Sequence, residues 1–408
     1  MSGRSSVWRI RDFVRYWTAG MISYAGSRLT LVAMPALIYE RTGSPFLTGL
    51  VAAFDGIAYV LFGLLAGTVA DRADRKRLMI GADLVNAVSL ASIPLAAAAG
   101  VLTTPHIFAI VLVSGVATVF FDAADFASLP MLVGKEQLTA GYSALNGPLT
   151  AAGIVAPGLA GLLLAATTPA RVIALDVLTF VASALLLRSI ARSLSGARDR
   201  TGRGSLFAEA RAGLVFLWRH PTIRPMTVMS FAQSASGGAV ISQFVPVAAA
   251  LAGARQAGPA SSLLFVAFGA GGLISMIVLP RLRLAPARIA LITTPLVAAS
   301  ALACGLARSL PALVALVVVW SAIYGVSASN NIVYRQAETP EPMLSRVNAA
   351  GRMLAWGAGM PLGSFVSGAV ASAAGARWAF VVAGGFALLS VALAWFSPLR
   401  IAASATAA

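Results

Sequence analysis

Stretches of about twenty apolar residues recur along the whole chain, and this recurrence constrains the fold more than any other feature. Each stretch is long enough to cross the hydrocarbon core of a bilayer, which is roughly 30 Å thick. Hydrophobic residues occupy 59% of the 408 positions and only 11% are charged, which excludes an ordinary soluble domain. We therefore predict an all-α integral membrane protein with twelve transmembrane helices, at residues 14–39, 46–69, 78–99, 106–127, 141–166, 171–190, 225–251, 260–279, 288–307, 311–334, 347–371 and 377–396.

The basic residues are distributed unequally between the two sides of the predicted membrane. Of the 30 lysines and arginines, Arg28 lies within a span, and one set of loops holds only Arg41, Arg171, Arg255, Arg308 and Arg377. The remaining basic residues lie in or beside the opposite loops, which the positive-inside rule places in the cytoplasm. We expect a multi-pass protein of the plasma (inner) membrane with both termini cytoplasmic. The formal net charge of +16 then reports topology, and no nucleic-acid partner is expected.

The chain is poor in residues that form metal centres, disulfides or catalytic sets. Its single cysteine, Cys304, falls within a predicted span, and its two histidines, His106 and His220, lie near span ends. No nucleophile–base pair or phosphate-binding loop is present. We predict no cofactor, no metal and no enzyme activity.

The longest connection divides the chain into two related halves. We predict an N-terminal six-helix bundle at 1–190, a cytoplasmic linker with an amphipathic helix at 191–224, and a C-terminal six-helix bundle at 225–408. Gly153 and Pro157 in span five recur as Gly357 and Pro361 in span eleven, 204 residues later. Such pairs kink membrane helices, and their recurrence indicates two parallel repeats, the organisation of a secondary transporter.

The loop between spans two and three carries an ordered set of charges. It reads GTVADRADRKRLM, with Gly67, Asp71, Arg72 and Arg75 at fixed spacing. This resembles the signature of the major facilitator superfamily, Gly-x-x-x-Asp-Arg-x-Gly-Arg-Arg/Lys. Asp74 stands where the signature has its second glycine, and the resemblance does not explain it.

Three further stretches resemble the drug and siderophore exporter branch of that superfamily, which holds the enterobactin exporter and the macrolide efflux pumps. They are RYWTAGMISYAGSRLTLVAMPALIYERTGSP (15–45), FFDAADFASLPMLVGKEQLTAGYSALNGP (120–148) and LWRHPTIRPM (217–226). The resemblance implies proton-coupled export by alternating access. It also implies a cytoplasmic gate in which Arg75 pairs with Asp122 or Asp125 of span four, and Asp71 faces the N-terminus of span eleven. A fixed network that only stabilises the fold is the alternative.

Two opposite charges are expected at one depth on consecutive spans. Arg28 lies eleven residues before Tyr39, and Asp55 lies ten residues after Pro45. At 1.5 Å per residue both are roughly 15 Å from the outer surface, near the midplane. Intramembrane charges are costly and mark functional groups. We predict that Asp55 and Arg28 couple proton movement to transport, with a fixed ion pair as the alternative.

Polar amides and aromatic residues at middle depths suggest a central cavity for a small amphipathic substrate. The amides are on spans seven and ten, and a break in span seven is expected between Gly237 and Pro246. The predicted cavity residues are Tyr24, Phe54, Gln233, Gln243, Trp320, Tyr324, Asn330 and Asn331.

These features favour a monomeric transporter whose partners are a small-molecule substrate, protons and the lipid bilayer. Export of drugs or siderophores is the leading hypothesis. The alternatives are an uptake or lipid-moving porter of the same fold, and a non-transporting membrane sensor or assembly protein.

Overall fold

The computed structural model describes residues 7–134, 137–195, 215–340 and 353–397, together with residues 343, 347, 350, 351 and 400. Every regular element in these ranges is helical. Most of the predicted amphipathic linker helix lies outside the described residues. The backbone of Asp55 is described, but its side chain is not.

Six long helices form the first half of the chain. A short 3₁₀ turn at Val7–Arg9 precedes them. Each helix overlaps one predicted span, and their bounds are α1 Arg11–Thr42, α2 Pro45–Arg72, α3 Arg75–Ala98, α4 Thr104–Val133, α5 Leu138–Ala166 and α6 Pro169–Arg188.

The described part of the second half includes seven α-helices of defined bounds and one π-helical segment. The bounds are α7 Ile223–Ile241, α8 Phe244–Ala252, α9 Ala257–Val278, α10 Pro286–Leu306, α11 Leu310–Ala337, α12 Met360–Ala374 and α13 Trp378–Trp395. The π-helix Met353–Gly359 runs directly into α12.

Eleven stretches of the described residues are long and apolar enough to cross a membrane. The predicted fifth span corresponds to α5, in which Ala151–Ala166 is a shorter apolar helix. Its two prolines, Pro148 and Pro157, lie inside the helix. The predicted all-α membrane fold is confirmed, and the helices are consistent with twelve crossings.

The chain groups into two compact units. Unit 1 comprises Met1–Met34 and Leu61–Arg203, and unit 2 comprises Pro35–Val60 and Gly204–Ala408. The end of α1 and the first half of α2 therefore group with unit 2. The bundle boundaries proposed from the sequence stay predictions.

In unit 1, α3 packs against α6 and α4. The segment that follows α6 crosses the ends of its neighbours and is tied to them by polar contacts. Asp12 of α1 accepts hydrogen bonds from the backbone nitrogens of Ala191 and Arg192, at 3.2 and 2.9 Å. Lys76 of α3 donates to the Ile190 carbonyl at 2.6 Å. The first residue of α3 and the last residue of α6 therefore lie at the same end of unit 1.

Asp74 begins α3 as its N-cap. Its backbone is extended, with φ −71° and ψ 110°, and its carboxylate accepts the Arg77 backbone N–H at 3.0 Å. The first amides of a helix have no partner within the helix, and an aspartate at this position satisfies one of them. This contact explains the residue that the sequence left unexplained: glycine tolerates the N-cap position, whereas aspartate also caps the helix.

We expect Asp74→Ala to lower the free energy of unfolding by about 1 kcal/mol, because the cap is lost. Asp74→Gly should lower the free energy of unfolding by only a few tenths of a kcal/mol. Asp74→Ser, which retains a capping oxygen, serves as the matched control. Denaturant unfolding of the purified protein in detergent measures the difference. An alanine variant as stable as the serine variant would contradict the capping role.

In unit 2, the seventh span is broken where α7 ends at Ile241 and α8 begins at Phe244. The break lies between Gly237 and Pro246, as the sequence predicts. Gln243 occupies it and donates from Nε2 to the Pro45 carbonyl at 3.2 Å. The interrupted helix thus contacts the beginning of α2.

Helix α12 makes close backbone crossings on two sides. Toward α7, a methyl group added at Gly363 would overlap the Ala235 carbonyl oxygen, and one added at Gly238 would overlap that of Met360. Toward the first half of α2, a methyl group at Gly368 would lie 3.2 Å from the Phe46 Cα. Glycines at these crossings allow the helices to approach as closely as small residues permit in membrane proteins.

We expect Gly363→Ala to destabilise the protein by about 1–3 kcal/mol, since backbone atoms cannot yield to the added methyl group. Gly385→Ala in α13 is the matched control, because nothing lies within 4 Å of a methyl group built there. Thermal unfolding of both variants in detergent should separate them. Equal melting temperatures of the two variants would show that the α7–α12 contact has room for a methyl group at residue 363.

Candidate functional site

The charged loop between α2 and α3 forms local contacts within unit 1. Arg75, at the start of α3, makes an ion pair at 3.7 Å with Asp71, at the end of α2, and its Nε donates to the Ala70 carbonyl at 3.3 Å. The Asp71 side chain is 64% exposed, whereas that of Arg75 is 17% exposed. Screened by solvent on one side, this ion pair contributes little stability by itself.

The two acids of α4 that were proposed as partners for Arg75 differ in environment. The Asp125 carboxylate accepts a hydrogen bond from the Tyr16 hydroxyl of α1, and Asp122 is exposed. Asp125 is thus joined to α1 by a neutral donor. The pairing of Arg75 with Asp122 or Asp125 stays a prediction.

Arg28 lies on α1 beside an aromatic ring. Its guanidinium carbon is 4.5 Å from the centre of the Tyr24 ring, within cation–π range. The buried Nε of Arg28 has no hydrogen-bond partner among the described residues. Because the Asp55 side chain lies outside the described part, the proposed Arg28–Asp55 pair stays a prediction, as does the role of Phe54.

The amides predicted to line a cavity are buried between helices of unit 2. Asn331 donates to the Gln233 side-chain oxygen at 3.2 Å, which joins α11 to α7. Asn330 instead donates to the Pro286 carbonyl of α10 at 2.9 Å, and Gln243 contacts α2. The structure therefore brings Gln233 and Asn331 together and places Asn330 and Gln243 elsewhere in the unit.

An aromatic row runs beside the Gln233–Asn331 contact. The ring centres of Trp320 and Tyr324 are 5.2 Å apart, and Phe268 of α9 continues the row at 5.9 Å from Trp320. Gly237 leaves room for this row, since a methyl group there would lie 2.6 Å from the Tyr324 hydroxyl oxygen. Phe268 was not predicted as a cavity residue, because its spacing does not distinguish it from the other apolar residues of its helix.

Several buried polar atoms of unit 2 have no hydrogen-bond partner within the described part of the chain. Leaving such an atom unsatisfied costs roughly 1–3 kcal/mol. A binding site for molecules with polar groups has a reason to retain such unsatisfied atoms, because a bound molecule can form hydrogen bonds with them. They belong to Ser236, Gln243, Trp320, Ser327 and Asn331.

Unit 1 also contains a cluster of buried polar side chains, around Asp176 of α6. Its carboxylate accepts hydrogen bonds from the hydroxyls of Thr30 at 2.5 Å and Thr179 at 2.8 Å, and the residue is 1% exposed. Gly26 of α1 is essential for this packing, since a methyl group there would overlap the carboxylate and the Thr179 hydroxyl. The sequence offered one signal: an aspartate three residues before a threonine within an apolar span.

Of the residues predicted to kink helices, one pair lies at a π-helical irregularity and the other lies within a continuous α-helix. Gly357 falls within the π-helix Met353–Gly359, and Pro361 is the second residue of α12. Gly153 and Pro157 lie within the continuous helix α5. A π-helical turn is often found at functional sites in helices.

Known proteins of similar sequence are efflux proteins. The chain is 28% identical over 212 residues to macrolide efflux protein A of Streptococcus pyogenes, covering 52% of each chain. It thus matches about half the length of that relative. It is 24% identical over 376 residues to the multidrug efflux pump Tap of Mycolicibacterium fortuitum, covering 89% of this chain and 90% of the pump.

Solved structures of similar fold are transporters. The nucleoside transporter NupG has a TM-score of 0.70 at 18% identity and covers 94% of this chain and 97% of its own. A bacterial homologue of the iron transporter ferroportin in an inward-facing state has a TM-score of 0.72 at 16% identity. The match covers 96% of this chain and 99% of the homologue. These similarities establish the fold.

The model of one family spans almost the entire chain. Residues 4–408 match the family described as transmembrane secretion effector. Its members and the structural neighbours are transporters and not enzymes. With the helical architecture and the Gly67–Arg75 loop, this match shows that the chain belongs to the transmembrane secretion effector family of major facilitator transporters.

Proposed function

We propose that this protein exports small amphipathic organic molecules, such as drugs or siderophores, in exchange for protons by alternating access. The observation that carries the proposal is the similarity to the multidrug efflux pump Tap, which extends over 89% of the chain. The half-length match to macrolide efflux protein A supports macrolides as first compounds to test. The transporter would work as a monomer in the inner membrane, with both termini in the cytoplasm.

The interior of unit 2 supports an amphipathic substrate. The aromatic row of Phe268, Trp320 and Tyr324 offers flat apolar surface, and the adjacent Gln233–Asn331 contact offers donors and acceptors. Binding sites for organic molecules commonly combine a broad apolar wall with a few polar groups. The groups are buried in this conformation, so access to them requires the helices to move, as alternating access supposes.

Proton coupling is the finer part of the proposal. All acids predicted within spans lie in the first half of the chain: Asp55, Asp83, Asp122, Asp125 and Asp176. Beyond Glu209, the only acids are Glu338 and Glu341. A carboxyl group that carries the proton must therefore come from the N-terminal half.

Expression in cells that lack their own efflux pumps tests the function directly. We expect the protein to raise resistance to the macrolide erythromycin, and a protonophore to abolish its energy-dependent efflux. Asp55→Asn should remove the proton-driven component if Asp55 couples transport. Accumulation inside the cells would favour an uptake porter, and no change with any amphipathic compound would favour a sensor or assembly protein.

The gate hypothesis makes a separate prediction for Gly67. Nothing lies within 4 Å of a methyl group built there, so Gly67→Ala should leave stability unchanged or raise it by about 0.5–1 kcal/mol. If α2 must approach another helix at Gly67 when the gate closes, the same variant should lose efflux. Efflux and thermal unfolding are measured together, with Gly63→Ala, which also has open space in α2, as control. Full efflux by Gly67→Ala would reject a close approach at this position.

A further inference from the structure

The Asp176 carboxylate is buried without a cation. Its two described partners are hydroxyl groups, Thr30 on α1 and Thr179 on its own helix. No ion pair involves Asp176 among the described residues. A charge inside a membrane protein usually has an opposite charge or a proton to neutralise it, because hydroxyl groups alone replace only part of its hydration.

Asp83 on the facing helix α3 is still more isolated. It is fully buried, and neither carboxylate oxygen has a hydrogen-bond partner within the described part of the chain. The polar group that α6 presents to it is the Ser183 hydroxyl, which is equally buried and equally unpartnered. An ionised carboxylate is very costly in this environment, whereas a neutral carboxyl group is not.

The two carboxyl groups lie on helices that pack against each other within unit 1. The contact of Lys76 with Ile190 places the first residue of α3 and the last residue of α6 at one end of the unit. Asp83 follows Arg75 by eight residues, or about 12 Å along α3, and Asp176 precedes Arg188 by twelve residues, or about 18 Å along α6. The two carboxyl groups therefore differ in depth by about 6 Å, roughly one helical turn.

Within the described part of the chain, no ion pair joins Asp83 or Asp176 to the surrounding helices. Helix α4 contributes Asp125, whose carboxylate accepts a hydrogen bond from the Tyr16 hydroxyl. Helix α5 has no acidic or basic residue between Leu138 and Ala166. Helix α1 contributes the Thr30 hydroxyl, while the guanidinium of Arg28 lies over the Tyr24 ring. The side chain of Asp55, on α2, is outside the described part.

We propose that Asp83 and Asp176 form a proton-binding site inside unit 1, in which Asp176 binds and releases the transported proton. A threonine hydroxyl both donates and accepts, so Thr30 can donate to the Asp176 carboxylate or accept from the neutral carboxyl group. Binding forms one O–H bond on an Asp176 oxygen, and release returns the proton to solvent. Asp83, which faces the Ser183 hydroxyl, stays neutral in this proposal and reduces the charge at the site.

This arrangement connects proton binding to helix movement. Thr30 lies on α1, two residues after Arg28, whereas Thr179 moves with Asp176 on α6. A shift of α1 relative to α6 removes the Thr30 hydroxyl from the carboxylate and favours the protonated form. The coupling role of the site rests on the proposed export function, whereas proton binding itself does not.

Infrared spectroscopy of the purified full-length protein in lipid tests proton binding without any substrate. We expect a protonated-carboxyl absorption from this site that rises as pH falls, and Asp176→Asn should remove the pH-dependent part while the constant absorption of neutral Asp83 remains. Thr30→Val, which preserves shape but removes the donor, should raise the midpoint by about one pH unit, because the carboxylate is less stabilised. Asp74→Asn, which removes an exposed carboxylate and keeps the helix cap, should leave the midpoint of the Asp176 absorption unchanged.

Two infrared results would overturn the proposal. One is a pH-dependent absorption that persists unchanged in folded Asp176→Asn, and the other is a Thr30→Val midpoint equal to that of the wild type. Thr30→Val keeps the test decisive if the asparagine variant does not fold, because it retains the native charge and volume. A shift produced by sodium ions at constant pH would also overturn it, since the hydroxyl and carboxylate oxygens would then be binding a cation.

Transport in proteoliposomes tests coupling, with erythromycin as the probe. We expect Asp176→Asn to lose accumulation driven by a proton gradient while retaining exchange of labelled for unlabelled erythromycin, which needs no net proton movement. Full gradient-driven accumulation by this variant, or loss of exchange as well, would overturn the coupling role. A wild-type protein inactive toward erythromycin would contradict that substrate for the exporter, and the infrared titration would still decide whether Asp176 binds a proton.

Discussion

The cost of an unpaired polar group in a membrane interior determines most of this structure. Backbone amides in hydrocarbon must bond within their own segment, and the described elements are accordingly all helical. Side chains meet the same requirement between helices, as when Asn331 bonds Gln233 and Thr30 bonds Asp176. Where the requirement is not met, as at Asp83, the group either takes up a proton or remains a large cost. The unsatisfied groups are therefore the places where transport chemistry is expected.

A second constraint is that helices must approach closely and still separate during transport. Helix α12 approaches α7 and the first half of α2 closely at glycines, and the Ser364 hydroxyl donates to the Gly238 carbonyl of α7 at 3.2 Å. Among the described residues no ion pair joins these helices, so they can separate without breaking one. The π-helical turn immediately before α12 supplies a local irregularity at which its register can change. Contacts of this kind suit a helix that rearranges between conformations.

The structure also changes the interpretation of the roles of several charged residues. Asp74 departs from the superfamily signature, yet it caps α3 in a way that glycine does not. Asp125 bonds the Tyr16 hydroxyl, a contact between α4 and α1 that no spacing rule predicts. The sequence places Asp176 within the predicted sixth span without indicating a partner for it. Its contacts with Thr30 and Thr179, in the space left by Gly26, place it in a buried polar group that joins α1 to α6.

The sequence by itself determined the membrane class, the positions of the helices, the signature loop and the break in the seventh span. These depend on local quantities: apolar length, charge asymmetry, and glycine or proline within a span. Only the tertiary structure decided which acids are buried and what they contact, because those partners lie on helices more than a hundred residues apart, as Thr30 and Asp176 do. It also decided that Gln233 meets Asn331 while the neighbouring Asn330 bonds α10 instead. Adjacent residues on a helix point in different directions, and only the packing of the other helices determines what each one meets.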